Sequence, residues 1–253
     1  MIVWGLFDSG NGSYFKVAKK MNGVKLFSIG LDIENKNDHF INLDLADYSY
    51  HFTKINNIYN ELDKLPKPDL IIASPPCESW SNASAMKDGN ACWKQEKGDS
   101  LFEPQIPLSR FTIRDYEDYD NYQYLPARQL ITRINGELTI FHTIQIIKRY
   151  KPKVYIIENP AHGRIWEYID KVLGFRIEQD NLTYYSNYDY PVLKPTRFGS
   201  NMDLKLKKER IGTGNDFRKM KWSYNERSNI PEDLVIDIFE KVKEKVNKSK
   251  LVV

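Results

Sequence analysis

Cysteine is scarce in this sequence, and its scarcity limits the classes of protein to which the chain can belong. Only two cysteines, Cys77 and Cys92, occur among 253 residues. A disulfide-stapled secreted scaffold needs a larger set of regularly spaced cysteines, so that class is excluded. The two cysteines and four histidines also lack the spacings typical of zinc ligands, and we therefore expect no metal site.

Long apolar runs are missing as well. No run approaches the roughly 18 apolar residues that a membrane span needs, so we expect no membrane partner. The first residues, "MIVWGLFDSG", show neither a basic segment nor a small-residue cleavage site, and a secretory signal is not expected. The cytoplasm is therefore the expected location.

Charge of either sign is nearly balanced, with a net value of +3. This balance does not by itself indicate a nucleic-acid partner. Residues 203–227 nevertheless carry eight Lys or Arg against four Asp or Glu, a local excess that suits phosphates, although such runs are more often solvated faces. The 16 tyrosines lie partly in polar stretches, where exposed rings can stack on bases.

The hydrophobic pattern predicts alternating strands and helices. Short apolar runs predict strands at "MIVWGLF", "KLFSIGLDI", "HFINLDL", "DLIIASPPC" and "KPKVYIIENP". Helical spacing is found at "YFKVAKKM", "FTKINNIYNELDKL" and residues 137–150. Continuous apolar strands that alternate with helices predict an α/β fold, with a mostly parallel central sheet and helices on both faces.

The rest of the chain follows this alternation less closely. The segment "GFRIEQDNLTYYSNYDY" predicts a pair of antiparallel strands, and "NIPEDLVIDIFEKVKEKV" predicts a terminal helix with Pro231 in its first turn. Residues 82–135 are polar, rich in tyrosine and too long for an ordinary loop. We therefore expect one domain over residues 1–253, with 82–135 as an insertion.

Four predicted strand ends carry residues of types that are common in active sites. They are "FDSGNG", "LDIE", "SPPC" and "ENP", in chain order. Each has an ordinary structural explanation, such as a turn, a helix cap or a small buried thiol. Their common place is the stronger indication, because the carboxyl ends of parallel strands form the ligand-binding edge of such a sheet.

The groups also suit one another chemically. A glycine turn lets a nucleotide-like cofactor approach the backbone, and an acid at the second strand end suits ribose hydroxyls. Pro75 and Pro76 would hold Cys77 in a fixed pose, as a nucleophile requires. Glu158 becomes a proton donor if burial raises its pKa.

This ordered set resembles the DNA (cytosine-5) methyltransferase family, and its small phage-type branch in particular. The resemblance rests on the glycine turn, the acidic strand end, Pro-Pro-Cys and Glu-Asn, over roughly residues 4 to 160. Further segments of the branch type are "SYFKVAKKM", "DHFINLDLADYSY", "YIIENPAHG", "YPVLKPTRFGSN" and "RSNIPEDLVIDI". The resemblance implies a Rossmann-like, S-adenosylmethionine-dependent methyltransferase fold. It also implies that the protein acts in the cytoplasm of a bacterial or phage-infected cell.

The resemblance also implies the catalytic residues. Cys77 would attack carbon 6 of a cytosine flipped out of DNA, and Glu158 would protonate ring nitrogen 3. Asn159 would help to place the loop, and Arg197 would supply the basic residue that the family keeps near the target base. Carbon 5 would then accept the methyl group of S-adenosylmethionine.

The implied cofactor site lies on the preceding strand ends. Phe7 would stack on adenine, while Gly10 and Gly12 make room for the methionine part. The remaining expected cofactor contacts are Ser9, Asp32 (ribose hydroxyls), Asp44 (adenine amino group) and Pro75. Two residues, Asp8 and Ser9, separate Phe7 from Gly10, whereas the family has one residue there.

Specificity and substrate leave alternatives open. Residues 82–135 are expected to supply target recognition, with the basic segment on phosphates and the protein acting as a monomer or a dimer. The altered glycine turn keeps a second possibility, a weakly active or inactive nucleic-acid-binding protein on the same scaffold. A third is a cytosine methyltransferase that acts on RNA or on a nucleotide.

Overall fold

The computed structural model describes residues 1–31, 37–81, 126–215 and 229–250, and its side chains except those of 126–129 and Lys250. The strands are β1 (Ile2–Leu6), β2 (Lys25–Gly30), β3 (Phe40–Asn42), β4 (Leu70–Ala73), β5 (Val154–Pro160), β6 (Gln179–Tyr184) and β7 (Pro195–Ser200). The α-helices are α1 (Ser13–Lys20), α2 (Tyr50–Thr53), α3 (Asn57–Leu62), α4 (Pro126–Tyr150), α5 (Ile165–Glu167) and α6 (Glu232–Lys250). A π-helical turn spans Tyr168–Val172, and a 3-10 turn spans Tyr185–Tyr188.

The seven strands form one mixed sheet in the order β3-β2-β1-β4-β5-β7-β6. Strands β1 to β5 are parallel to their neighbours, whereas β7 is antiparallel to both β5 and β6. The expectation of a mostly parallel sheet is confirmed. Because β7 runs backwards, its first residues lie at the same edge as the last residues of the parallel strands.

Helices cover both faces of this sheet, as the apolar strands predict. On β4, Ile71 and Ala73 belong to the apolar cluster that contains α3 and α4, while Leu70 and Ile72 belong to the cluster that contains α1 and α6. All four side chains are fully buried. Burial of each larger one contributes about 1.5–3 kcal/mol, so β4 is anchored firmly from both sides.

One predicted helix is divided in the structure. The segment "FTKINNIYNELDKL" forms α2 and α3 rather than a continuous helix. Lys54 ends α2 with a φ of 62°, in the left-handed region, and the Asn56 side chain then accepts a hydrogen bond from the Tyr59 amide at 3.0 Å. An N-cap of this kind begins a new helix, and the prediction of one helix was therefore wrong.

The predicted antiparallel pair within "GFRIEQDNLTYYSNYDY" was also wrong in part. Only β6 forms there, and its partner is β7, in a segment for which no strand was predicted. After β6 the chain turns, because Tyr185 and Tyr188 are drawn into the core beside α6. Helix α4 begins at Pro126, within the expected insertion 82–135, and residues 82–125 lie outside the described part of the chain.

Candidate active site

The candidate site lies at the carboxyl edge of the parallel strands, around the neighbours β1 and β4. From β1 the sheet continues through β2 to β3, and from β4 it continues to β5 on the other side. This reversal of strand order is the switch point at which open α/β sheets bind ligands. The segments that follow β1 and β4, and the last residues of β5 itself, carry residues that the sequence singled out.

Cys77 lies at the end of a braced loop. The Ser74 amide still donates to the Leu6 carbonyl at 3.2 Å, after which Pro75 and Pro76 end the ladder because they have no N–H group. The Asn159 side-chain amide donates to the Pro75 carbonyl at 2.9 Å and ties the loop to β5. This bond contributes about 0.5–1.5 kcal/mol and fixes the position of the loop that presents Cys77.

Glu158 lies beside this loop because of the strand register. Ala73 of β4 pairs with Ile157 of β5, so the following residues, Ser74 and Glu158, are also neighbours. The Tyr185 hydroxyl donates to Glu158 Oε1 at 3.3 Å. The hydroxyls of Tyr14 and Ser74 are 2.7 Å apart, which extends the polar group to α1.

The ionisation of Cys77 and Glu158 is set by their enclosure. Burial raises the pKa of the Glu158 carboxyl, and the Lys194 charge and the hydroxyls of Ser74 and Tyr185 oppose that rise without cancelling it. The Cys77 side chain is exposed, but surrounding protein displaces enough water to raise the pKa of its thiol, and Glu158 adds to the effect. Cys77 therefore lies in an open recess rather than on a flat surface.

Lys194 is a member of this recess that the sequence reasoning missed. Its Nζ lies 4.6 Å from the Tyr185 ring centroid and 5.6 Å from that of Tyr190. Burial lowers the pKa of Lys194, while the charges of Glu158 and Cys77 raise it. We call Ser74, Cys77, Glu158, Tyr185 and Lys194 the Cys77 recess. Lys194 lies within "YPVLKPTRFGSN", a segment quoted for the family resemblance, but no local pattern marked it as a site residue.

Arg197 is not brought to the Cys77 recess. It pairs across the ladder with Asn159, whereas Glu158 pairs with Phe198, so Arg197 and Glu158 face opposite sides of the sheet. The Arg197 guanidinium lies 4.4 Å from the Trp166 ring centroid, and its Nε is 2.6 Å from Asp180 Oδ1. Its surroundings are therefore those of a cation held by a carboxylate and an indole ring.

The glycine turn after β1 has the backbone of a ligand cradle. Gly10 has a φ of 74°, and Phe7 has a φ of 61°, which is uncommon for a bulky residue. A Cβ at Gly12 would lie 3.4 Å from Ser9 Oγ, in ordinary van der Waals contact with the turn. The Ser9 hydroxyl donates to Asn11 Oδ1 at 2.7 Å. Phe7 is half-buried against the core cluster that contains α4, with the rest of its ring exposed.

Asp8 supports this turn from below and is a second residue that sequence reasoning missed. Its carboxylate is buried and accepts a hydrogen bond from the Ser28 hydroxyl at 2.5 Å. The Asn37 amide in turn donates to Ser28 Oγ at 2.8 Å. A Cβ at Gly30 would lie 3.1 Å from the Asp8 carbonyl oxygen, so the turn packs directly on β2. The additional residue in the turn thus serves an internal polar network.

The remaining predicted cofactor contacts are less informative. Asp44 is exposed after β3, and its Oδ1 accepts a hydrogen bond from the Ala46 amide at 2.8 Å. Pro75 is buried, and its carbonyl accepts the Asn159 bond described above. Asp32 and residues 216–228 of the basic segment lie outside the described part of the chain, whereas Lys207 to Arg210 are exposed.

Two further classes of site were sought in the same ranges. Within residues 1–31, 37–81, 126–215 and 229–250, no three His, Cys, Asp or Glu side chains converge as metal ligands do. None of the helices in the described part of the chain combines the length and apolar character that a membrane crossing requires.

Comparisons with known proteins find similarity among solved structures. No protein-family model and no curated protein matches the chain. Among solved structures, it is similar to an E. coli protein provisionally described as a DNA modification methyltransferase encoded within a prophage. The match has 16% identity and a TM-score of 0.42, and it covers 79% of this chain but 46% of that one. This chain thus spans less than half of that protein's length, and a likeness at this level carries no argument about function.

Proposed function

We propose that this protein is an S-adenosylmethionine-dependent DNA methyltransferase that modifies carbon 5 of cytosine. The observation that carries the proposal is the shared recess of Cys77, in the loop after β4, and Glu158, on the parallel neighbour β5, beside the switch point of the sheet. A nucleophile and a carboxyl with a raised pKa, held side by side, are the two groups that addition to a pyrimidine ring requires.

Glu158 suits the part of proton donor. Burial raises the pKa of its carboxyl, so more of it is protonated near neutral pH than of an ordinary glutamate. A protonated carboxyl can donate a hydrogen bond, and then a proton, to ring nitrogen 3 of cytosine. This donation withdraws electrons from carbon 6 and prepares it for attack.

Cys77 suits the part of nucleophile. Its thiolate forms a bond to carbon 6 while nitrogen 3 gains the proton from Glu158, and the ring then carries electron density on carbon 5. When bound, S-adenosylmethionine would supply an electrophilic methyl group for carbon 5, with the neutral thioether S-adenosylhomocysteine as the leaving group. Loss of the carbon 5 proton to water restores the double bond between carbons 5 and 6 and expels the Cys77 thiolate, and nitrogen 3 returns its proton to the Glu158 carboxylate. The target base must leave the duplex, because carbon 6 cannot be reached within the base stack.

The glycine turn is the proposed cofactor cradle. Gly10 has a positive φ, and neither Gly10 nor Gly12 carries a side chain, so a ligand can approach the backbone of the turn closely. Phe7 offers the exposed part of its ring to adenine, and Asp44 offers an exposed carboxylate at the end of β3. Ser9 and Asp32 complete the proposed set, with Asp32 assigned from sequence alone.

Methyl incorporation tests the proposal directly. The protein is incubated with S-adenosylmethionine carrying a labelled methyl group and with DNA of varied sequence. The Cys77→Ser variant is run alongside, and Cys92→Ser serves as the matched cysteine control. We expect label in 5-methylcytosine with the wild type and with Cys92→Ser, and a loss of at least about a thousandfold with Cys77→Ser.

The same assay separates the alternatives. Label in RNA or in a free cytidine nucleotide, with none in DNA, would replace the proposed substrate while keeping the chemistry. If no substrate gains label and calorimetry detects no binding of S-adenosylmethionine, the proposed reaction is wrong.

A further inference from the structure

We propose that Lys194 supplies the positive charge that partly offsets the burial of Cys77 and so lowers the pH at which this residue becomes reactive. The consequence of the Lys194 charge for methyl transfer rests on the proposed function, but its effect on the Cys77 thiol does not. Lys194 acts through Cys77 and Glu158 and is thus a positioning residue.

The fold brings Lys194 to the recess by reversing a strand. Lys194 directly precedes β7, which is antiparallel to β5, so it lies at the edge where the parallel strands end. Its Nζ is 4.6 Å from the centroid of the Tyr185 ring, and the hydroxyl of that ring donates to Glu158. The ammonium, the ring and the carboxyl therefore form a continuous wall beside Cys77.

The charges that act on Cys77 make this cation necessary. Glu158 from β5 and the adjacent Glu78 both disfavour the thiolate, as does burial. Of the charged groups with the largest influence on the thiol, Lys194 favours the ionised form, whereas Glu158 and Glu78 oppose it. Without Lys194, an ionised Cys77 would face two carboxylates in a recess where water screens charge poorly.

The other predicted cation does not fill this position. Arg197 lies on the opposite face of the sheet, with Asp180 and Trp166 as its neighbours. Lys194 has a φ of 31°, in the left-handed region that residues with side chains rarely adopt. The backbone thus holds an uncommon conformation at the residue that carries the charge to the recess.

Thiol alkylation measures the proposed effect without any need for methyl transfer. In a Cys92→Ser background, the rate of Cys77 alkylation by iodoacetamide is followed from pH 6 to pH 11. We expect Lys194→Met to move the midpoint to higher pH by roughly one unit, which lowers the rate about tenfold below the midpoint. Lys194→Arg keeps the charge and should stay near the parent.

Lys207→Met is the matched control. The Lys207 Nζ lies 4.9 Å from the Tyr188 ring centroid, a similar cation–ring contact that does not adjoin Cys77. Its removal should leave the midpoint in place. If Lys194→Met does not fold, as judged by circular dichroism, Lys194→Gln takes its place.

Two results would overturn the proposal: an unchanged midpoint without the Lys194 charge, or an equal shift in Lys207→Met. An inactive wild type with the expected Lys194 shift would reject the proposed function and leave the role of Lys194 intact. If the enzyme is active, its pH–rate profile should move in the same direction as the alkylation midpoint.

Discussion

The two halves of the carboxyl edge are built in different ways. The cysteine half comprises the ends of β4 and β5 and the beginning of β7, and its shape depends on side-chain groups such as the Asn159 amide, Glu158 and Lys194. The glycine half comprises the ends of β1, β2 and β3, and its shape depends on backbone that packs closely over buried Asp8. The shape of the cysteine half thus depends mainly on charged and polar side chains, whereas that of the glycine half depends mainly on the space around its backbone.

The largest effect is expected from a change of charge in the cysteine half. Glu158→Gln keeps the size of the side chain but removes its transferable proton, and general acid catalysis contributes about 10²–10⁴-fold to rate. We expect methyl transfer to fall by that factor while calorimetry shows unchanged binding of S-adenosylmethionine. A variant with normal turnover would mean that the two halves do not differ as described.

The same substitution has a pH-dependent effect on stability. The folded pKa of Glu158 is raised, so the folded state binds this proton more strongly than the unfolded state does. Its contribution is fully present below the unfolded pKa and is lost as pH rises through the folded pKa. Relative to Glu158→Gln, the wild type should lose stability over that window, as denaturation midpoints at several pH values will show.

A change of volume should act mainly on the glycine half. Gly10→Ala places a Cβ at a φ of 74°, within the proposed cradle. We expect affinity for S-adenosylmethionine, measured by calorimetry, to fall about tenfold or more, because the turn must shift away from the ligand. Gly174→Ala is the control, since Gly174 has a φ of 58° with no atom near its Cβ position. An equal loss in both variants would trace the effect to general strain.

Asp8 tests whether the glycine half depends on its buried support. In Asp8→Asn, the Ser28 hydroxyl loses a charged acceptor, and the free energy of unfolding should fall by about 1–3 kcal/mol. Asp63→Asn is the control, because Asp63 pairs with Arg149 at the surface, where such pairs contribute little. Denaturant titration compares the two variants. Equal losses of stability would contradict the claim that the glycine half depends on the buried Asp8 carboxylate.

The smallest effect is expected at Arg197. Its ion pair with the exposed Asp180 and its contact with Trp166 together contribute about 1 kcal/mol. Arg197→Ala should lower the denaturation midpoint slightly and leave the rate of methyl transfer within about threefold of the wild type. A much larger loss of rate would place Arg197 near the target base, as the family resemblance implies.

Much of the parallel sheet could be predicted because its strands are continuous apolar runs. The runs at β1, β2, β4 and β5 are buried on both faces, so the pattern alone identifies them. β7 could not be identified in this way, since "PTRFGS" mixes small, polar and charged residues. Its place depends on pairing with β5 and β6, and a local sequence pattern does not show which distant segments pair.

The residues of the candidate site likewise fall into those that a local pattern predicts and those that depend on distant pairing. Cys77 and Glu158 could be proposed because each follows an apolar strand at a distinctive turn. Lys194 could not, since it precedes its strand and comes to the recess only through the reversal of β7. Asp8 was visible only as an additional residue in the turn, because its role depends on Ser28 of a different strand.

The bond from Asn159 to Pro75 has a consequence for the timing of local motion. It joins the loop after β4 to the end of β5, and the Arg164 amide adds a second bond, to the Trp80 carbonyl at 2.8 Å. Neither loop can open without breaking a bond to the other, so the two form one cooperative unit. In hydrogen exchange, we expect the amides of Ser81 and Arg164 to open together. Cys77 and Glu158, the proposed nucleophile and acid, would then become ordered together.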